Sequence, residues 1–271
     1  MAEVRVREPH PWNTGFVWSL PERRPTTITS AQRTSFDRDG YFVLRGVFGA
    51  DELAQAEAAC DEGVALVSEF LGQVPGGRIS VAGLDTQVVA PHLVVRSDAL
   101  RRLCLHPTLV GVCRDLMGDD ARLYWDQAVY KAPHGAEPVL WHQDNGYTFI
   151  EPQGYLTCWI SLTDATLDNG CVSVMPGAHR QGTLAHDETP IGFQCWGDHD
   201  TAINAETKAG DVVVFSSLTP HATRVNHTDR VRKAYIVQYC HGDAVGYTGD
   251  GQGGPGDPHP QNEPRQFSIA G

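Results

Sequence analysis

At 271 residues, with 33 acidic against 21 basic side chains and a net charge of −12, the chain is poorly suited to a nucleic-acid backbone or an anionic membrane surface, and a small-molecule partner is the default. No stretch approaches the roughly 18 to 20 apolar residues of a membrane span, and the opening MAEVRVREPHPWNTG lacks the apolar run of a signal peptide, so a cytoplasmic protein is expected. Seven scattered cysteines, odd in number and without a CxxC pair, read as reduced and buried thiols, not as a disulfide framework or a zinc knuckle.

Residues 1–27 are rich in Pro, Trp and Arg without a period, which predicts an extended arm lying on the surface or on a partner subunit. Thr29 or Ser30 then caps a short helix through Phe36, and Tyr41-Phe42-Val43-Leu44 reads as a buried strand ended by Gly46. Ala50-Asp51-Glu52-Leu53 opens a long helix whose apolar positions recur as far as about Leu71. A loop-and-strand passage over 74–96 precedes one further helix, Leu100 to Met117, ending at Gly118.

From there the texture changes to short apolar segments separated by turn residues: Leu123 to Lys131, Tyr155 to Leu162, Cys171 to Met175, Asp211 to Phe215 and Arg232 to Tyr239. That spacing predicts a double-sheet barrel or jelly roll with helices packed outside it. The final thirty residues are dominated by Gly, Pro, Asp and Gln, so irregular or mobile structure is expected there. The chain thus divides into an arm (1–27), one domain (28–241) and a Gly/Pro-rich tail (242–271).

Trp141-His142-Gln143-Asp144 places an imidazole and a carboxylate two residues apart, and in an extended chain such residues point to the same side. A second histidine from a distant strand would complete a facial triad with three positions left open, the arrangement of iron(II) oxygenases. Alone, an HxD pair is weak among 12 histidines. Its weight comes from Thr219-Pro220-His221-Ala222-Thr223, which follows an apolar strand and leads into another strand carrying Arg232, whose planar fork suits a dicarboxylate.

With these residues in view the chain resembles the phytanoyl-CoA hydroxylase family of iron(II)/2-oxoglutarate dioxygenases. The resemblance runs from about Phe36 to Tyr239 through six ordered motifs: FDRDGYFVLRGVFGADEL, HPTLVGVCRDLMGDDARLYWDQAVYKAPHG, WHQDNGY, YLTCWISLTDA, NGCVSVMPGAHRQG and GDVVVFSSLTPHATRVNHTDRVRKA. It implies an α+β, mainly β fold with a double-stranded β-helix (jelly roll, cupin-like) core and flanking N-terminal helices. It also implies that His142, Asp144 and His221 hold iron(II), that Arg232 pairs with the distal carboxylate of 2-oxoglutarate, that Gln127 and Trp159 flank the cosubstrate, and that Thr223 assists the same carboxylate. Arg230, of the same strand parity, is the fallback for Arg232.

Such a site consumes oxygen and 2-oxoglutarate and oxidises a small molecule. Asp144 favours hydroxylation over halogenation, because halogenating relatives carry a small residue there, but epimerisation, desaturation and ring closure remain open. The pocket is expected to be bounded by 71–95, 147–154, 183–203 and the tail, with Phe193, Trp196 and His199 offering aromatic surface to a ring-containing ligand of natural-product tailoring. An acyl-CoA is disfavoured by the lack of a basic cluster for a phosphorylated adenosine. A metal-free binding protein and a zinc hydrolase or isomerase are the competing readings, and monomer and homodimer are both compatible. Asn169-Gly170 and Pro176-Gly177 read as turns, His179-Arg180 as surface, and His134 as a solvated loop residue.

Overall fold

The computed structural model describes residues 8–197, 201–248 and 255–269. Helix α1 (Ser30–Asp39) begins at Thr29, whose hydroxyl accepts from Gln32 N while the Gln32 side chain returns to Thr29 N, and stops at Gly40 in the left-handed conformation (φ 83°). Only glycine fits there for a second reason: a Cβ would lie 2.5 Å from Thr219 Oγ1 and 2.6 Å from His179 Nδ1. Strand β1 (Tyr41–Leu44) and the long helix α2 (Ala50–Gly72) follow where the hydrophobic pattern places them.

The expected helix from Leu100 to Met117 is two helices, α3 (Asp98–Cys104) and α4 (Pro107–Met117). Pro107 has no N–H and disfavours helical geometry at the residue before it, so His106 leaves the helix and caps the next one, accepting from Thr108 N through Nδ1 at 3.2 Å. Leu109, Val112 and Leu116 of α4 are buried against the sheet, each worth roughly 1.5–3 kcal/mol.

Between α2 and α3 lie β2 (Arg78–Ile79), β3 (Ala82–Gly83) and β4 (Gln87–Pro91). After α4 come β5 (Ala121–Lys131), β6 (Val139–His142), β7 (Phe149–Glu151), β8 (Leu156–Ser161), β9 (Val172–Val174), β10 (Asp187–Thr189), β11 (Gly192–Gln194) and β12 (Ile203–Ala205). The set closes with β13 (Val212–Ser216), β14 (His221–Thr223), β15 (Arg232–His241), β16 (Val245–Tyr247) and β17 (Pro258–Pro260).

An eight-stranded antiparallel sheet of order β1-β13-β8-β15-β5-β4-β3-β2 faces a four-stranded one of order β12-β9-β14-β6. This is the mainly β jelly roll expected, with the helices packed on the outer face of the larger sheet through one core of Phe36, Ala56, Leu109, Ile160, Val214 and Tyr235. The inner faces of the two sheets enclose a cavity of about 450 Å³.

The described parts of the arm and of the tail fold back on this frame. Thr26 and Thr27 of the arm, and Ile28 just after it, donate their backbone N–H groups to the carboxylate of Asp115 on α4. Burial would raise the pKa of Asp115, but those three donors outweigh it and hold the carboxyl below its ordinary range. Trp12 packs edge-on against Phe149, and Trp18 against His179.

The described part of the tail is mostly irregular, as expected, but it is anchored to the frame. β17 pairs with β16, Leu123 N donates to Phe267 O, Ile269 N donates to Ala121 O, and Gln266 and Ile269 are buried. Its polar composition hid a few anchoring residues whose partners lie far away in sequence. His179, expected at the surface, is fully buried, because its ring fills the space beside Gly40 and Trp18.

Candidate active site

His142 ends β6, Gln143 remains extended (φ −106°, ψ 142°), and Asp144 opens a single 3-10 turn (Asp144–Gly146), so the two ligand-type side chains emerge on one side. Gln143 points the other way and is fully buried. Its Nε2 donates to Gly182 O (2.9 Å) and Leu218 O (2.6 Å), and its Oε1 accepts from Leu184 N (2.7 Å). Its own N–H donates to His186 Nε2 (3.0 Å), whose ring lies where any Cβ at Gly146 would stand. Gln143, Gly146 and His186 therefore pin the turn that carries Asp144. The residue between the two ligand positions was silent in the sequence, because its three partners come from elsewhere in the chain.

His221 opens β14 and is the direct cross-strand partner of His142. Their Nε2 atoms lie 3.7 Å (His221) and 3.9 Å (His142) from Asp144 Oδ1, and the ligating atoms of all three residues fall within 4.8 Å of one another. Each imidazole is oriented from behind: His142 Nδ1 meets Leu140 O at 2.7 Å and His221 Nδ1 meets Thr219 O at 3.0 Å. A carbonyl oxygen only accepts, so both rings carry a hydrogen on Nδ1, and Nε2 is the nitrogen that each turns toward Asp144. Burial, and then the neighbouring His221 ring, holds His142 well below the ordinary histidine range, which keeps it neutral as a metal ligand must be.

Arg232 opens β15 at the far side of the same cavity and is 1% exposed. Its Nη1 donates to Val129 O (3.2 Å) and its guanidinium lies 5.0 Å from the Trp159 ring centroid, while Nε and Nη2 have no partner among the described residues. Burial lowers its pKa to about 10, so it remains a cation at neutral pH, with its fork turned into a space that supplies no anion. The Thr223 hydroxyl is buried and unpartnered as well. Unsatisfied buried donors are costly, and here they sit together on the wall of a cavity.

Gln127 lines the cavity and accepts from Trp125 Nε1 at 3.0 Å, which identifies its carbonyl end and leaves its NH₂ as a donor. All seven residues singled out from the sequence, His142, Asp144, His221, Arg232, Gln127, Trp159 and Thr223, line this one cavity. Arg230 is exposed and outside it. His134 is exposed and pairs with Asp229 (2.8 Å).

Lys131 was not read from the sequence. It is buried, its Nζ donates to Arg224 O (2.6 Å) and Thr223 O (3.3 Å), and burial together with the nearby Arg232 lowers its pKa to about 7.

The mouth of the cavity is formed by Ser80, Val81 and Ala82 of the β2–β3 turn, with Tyr147 and Thr148 opposite. Tyr147 stands edge-on to both His142 (5.3 Å) and Phe193 (5.0 Å). Phe193 thus backs the mouth, but Trp196 is buried with Trp141 in a separate core, because the chain after β11 turns inward. His199 lies outside the described residues.

The geometry has clear relatives. Residues 36–234 match the family described as phytanoyl-CoA dioxygenase. A mouse phytanoyl-CoA dioxygenase domain-containing protein 1 is 32% identical over 259 residues, covering 78% of this chain and 89% of that protein. An ectoine dioxygenase of Sphingopyxis alaskensis is 28% identical over 245 residues, covering 78% and 75%. Among solved structures, the non-haem alpha-ketoglutarate-dependent carbocyclase SnoK from nogalamycin biosynthesis superposes with a TM-score of 0.70 at 26% identity, covering 91% of this chain and 99% of that one. No helix among the described residues is long and apolar enough to cross a membrane. A jelly roll with two histidines and one carboxylate converging in its cavity, matched over most of its length by these enzymes, makes this chain a member of the phytanoyl-CoA dioxygenase family, an oxidoreductase that uses iron(II), 2-oxoglutarate and oxygen.

Proposed function

We propose that Nε2 of His142, Oδ1 of Asp144 and Nε2 of His221 hold the iron(II), and that the chain hydroxylates a neutral, ring-bearing small molecule. The observation that carries the cofactor part is Arg232, a buried cation with two free donors on the wall opposite the triad. The distal carboxylate of 2-oxoglutarate would satisfy Nε and Nη2 as a charge-assisted pair and the Thr223 hydroxyl as a third bond. Trp159 stacks behind that guanidinium and keeps water from it, and the Gln127 NH₂ offers one more donor alongside. Held there, iron(II) and 2-oxoglutarate would supply oxidative chemistry in which one atom of oxygen ends in succinate, carbon dioxide leaves, and the other oxygen atom goes to a C–H bond of the substrate as a hydroxyl.

The substrate class follows from what lines the rest of the cavity. Asp144 and Arg232 are the only formally charged side chains among the described lining residues, and both are committed to the cofactors. What remains is uncharged: aliphatic side chains such as Val89 and Ile236, the rings of Tyr124, Trp125 and Tyr147, and the amide of Gln87, whose carbonyl is buried and has no partner among the described residues. Ring faces match the aromatic walls, and a hydroxyl or amide on the substrate would satisfy Gln87. An acyl-CoA would bring phosphates that no side chain of this cavity neutralises. Ring closure is the second reading, favoured by the likeness to a carbocyclase. We place the enzyme in the cytoplasm as a monomer or homodimer, with 28–241 as its catalytic domain between the arm (1–27) and the tail (242–271).

The test is anaerobic titration with iron(II) and then 2-oxoglutarate, following the visible charge-transfer band of the chelate. The band should form in the wild type, be absent in His221→Ala and need far more 2-oxoglutarate in Arg232→Ala. A wild type that gives no band sinks the reading. Screening neutral polycyclic phenols for stimulated succinate release, against acyl-CoA and phosphonate controls, tests the substrate class.

A further inference from the structure

Asp144 has two carboxylate oxygens, and only one of them faces the histidines. Oδ1 lies 3.9 Å from His142 Nε2 and 3.7 Å from His221 Nε2, whereas Oδ2 meets Thr157 Oγ1 at 2.5 Å. Thr157 Oγ1 in turn meets Gln238 Nε2 at 3.3 Å. Thr157 and Gln238 are cross-strand partners on β8 and β15, and both are buried. The directions of these bonds are forced. A carboxylate only accepts, so the threonine spends its single hydrogen on Oδ2, and the lone pair left over receives the amide of Gln238.

A carboxylate free to swing can grip a metal through both oxygens, which would occupy one of the three positions that the cosubstrate and oxygen need. We propose that Thr157, oriented by Gln238, is a positioning residue that commits Asp144 to one-oxygen coordination through Oδ1. The proposal rests on the iron site proposed above, and it assigns a role to two residues that no ligand motif contains. Outer groups of this kind matter for metal affinity because they fix the ligand before the metal arrives.

The test uses cobalt(II) titration of the metal-free full chain, read by its visible ligand-field absorption, and does not depend on turnover. Thr157→Val keeps the shape and removes the hydroxyl. It should bind cobalt about 10-fold or more weakly, with a shifted ligand-field band as the second carboxylate oxygen takes one of the open positions in place of water. Thr157→Ser restores the hydroxyl and should return both readouts toward wild type. Gln238→Leu leaves the threonine hydrogen free to rotate and should shift both in the same direction by less, and it carries the test should Thr157→Val fail to fold. Wild-type affinity and band in a folded Thr157→Val, or in Gln238→Leu where that variant carries the test, overturns the proposal, as does a loss in Thr157→Ser equal to that in Thr157→Val. A wild type that takes up no cobalt overturns the iron site itself, and this inference with it.

Discussion

The two ends of the cavity are built differently. At the metal end every functional side chain sits on, or directly beside, a strand of one of the two facing sheets, and each is held from behind by a bond to backbone or to a buried side chain. At the mouth the walls are a short hairpin (β2–β3) and a 3-10 turn with its following residues, backed by the β10–β11 hairpin through the contact of Phe193 with Tyr147. Chemistry that must place a ligand within tenths of an ångström is carried by the sheets. Selectivity, which has to vary between relatives, is left to loops whose change costs the fold little.

If that division holds, the largest effect should come from cutting the support of the metal end. Gln143→Leu leaves Leu184 N–H, Gly182 O and Leu218 O unpaired in the interior, an expected loss of about 3 kcal/mol of folding stability and, with it, of metal uptake, read by denaturant unfolding and metal titration. Stability within 0.5 kcal/mol of wild type (a rough threshold for surface-like substitutions) would mean that the turn holds itself.

Next comes Arg232→Lys, which keeps the charge but loses the fork. The KM for 2-oxoglutarate should rise by roughly 100-fold with the iron(II) affinity little changed, since one charge-assisted bond replaces a bidentate pair. An unaltered KM would place the cosubstrate elsewhere.

His179, packed between the arm and Gly40, tests the frame behind the metal end. Burial lowers its pKa to about 4, below the unfolded value of 6.5, so between these pH values the unfolded chain binds more protons. The stability that depends on a neutral His179 is therefore present above about pH 6.5 and drains away as the pH falls toward 4, by about 2 kcal/mol at pH 5. Replacing it in His179→Gln should flatten that part of the stability curve. An equally steep loss in the variant would assign the acid sensitivity to other histidines, among them His142.

The smallest expected effect is at the mouth. Tyr147→Ala should leave folding stability and the 2-oxoglutarate KM within about twofold of wild type while changing which substrates stimulate succinate release, because its ring borders the mouth and no buried polar group depends on it. A collapse of cosubstrate binding in this variant would erase the distinction between the two ends.

The sequence was informative where chemistry is local. HxD in an extended segment, a second histidine after an apolar strand and an arginine opening the next one are legible because strand geometry fixes which side chains share a face. The ordered motifs extended that to Gln127, Trp159 and Thr223, and the cavity wall contains all three. Proline 107 was legible too, but the apolar period on either side concealed the break that it imposes between α3 and α4.

The supporting residues were not legible. Gln143, Thr157, Gln238 and Lys131 act through partners that lie 13 to 93 residues away, and a polar side chain inside a strand looks the same in sequence whether it is a structural amide or the support of a ligand. The same holds for the tail, whose Gly/Pro composition predicts irregularity but whose Arg265 and Gln266 reach Tyr124 O at the cavity wall. What the chain determines by itself is therefore the identity and facing of the site: which atoms can bind a metal and which face they share. Tertiary structure alone decides how those atoms are aimed, because aim depends on hydrogen bonds closed across the sheets, and those exist only when the distant strands have met.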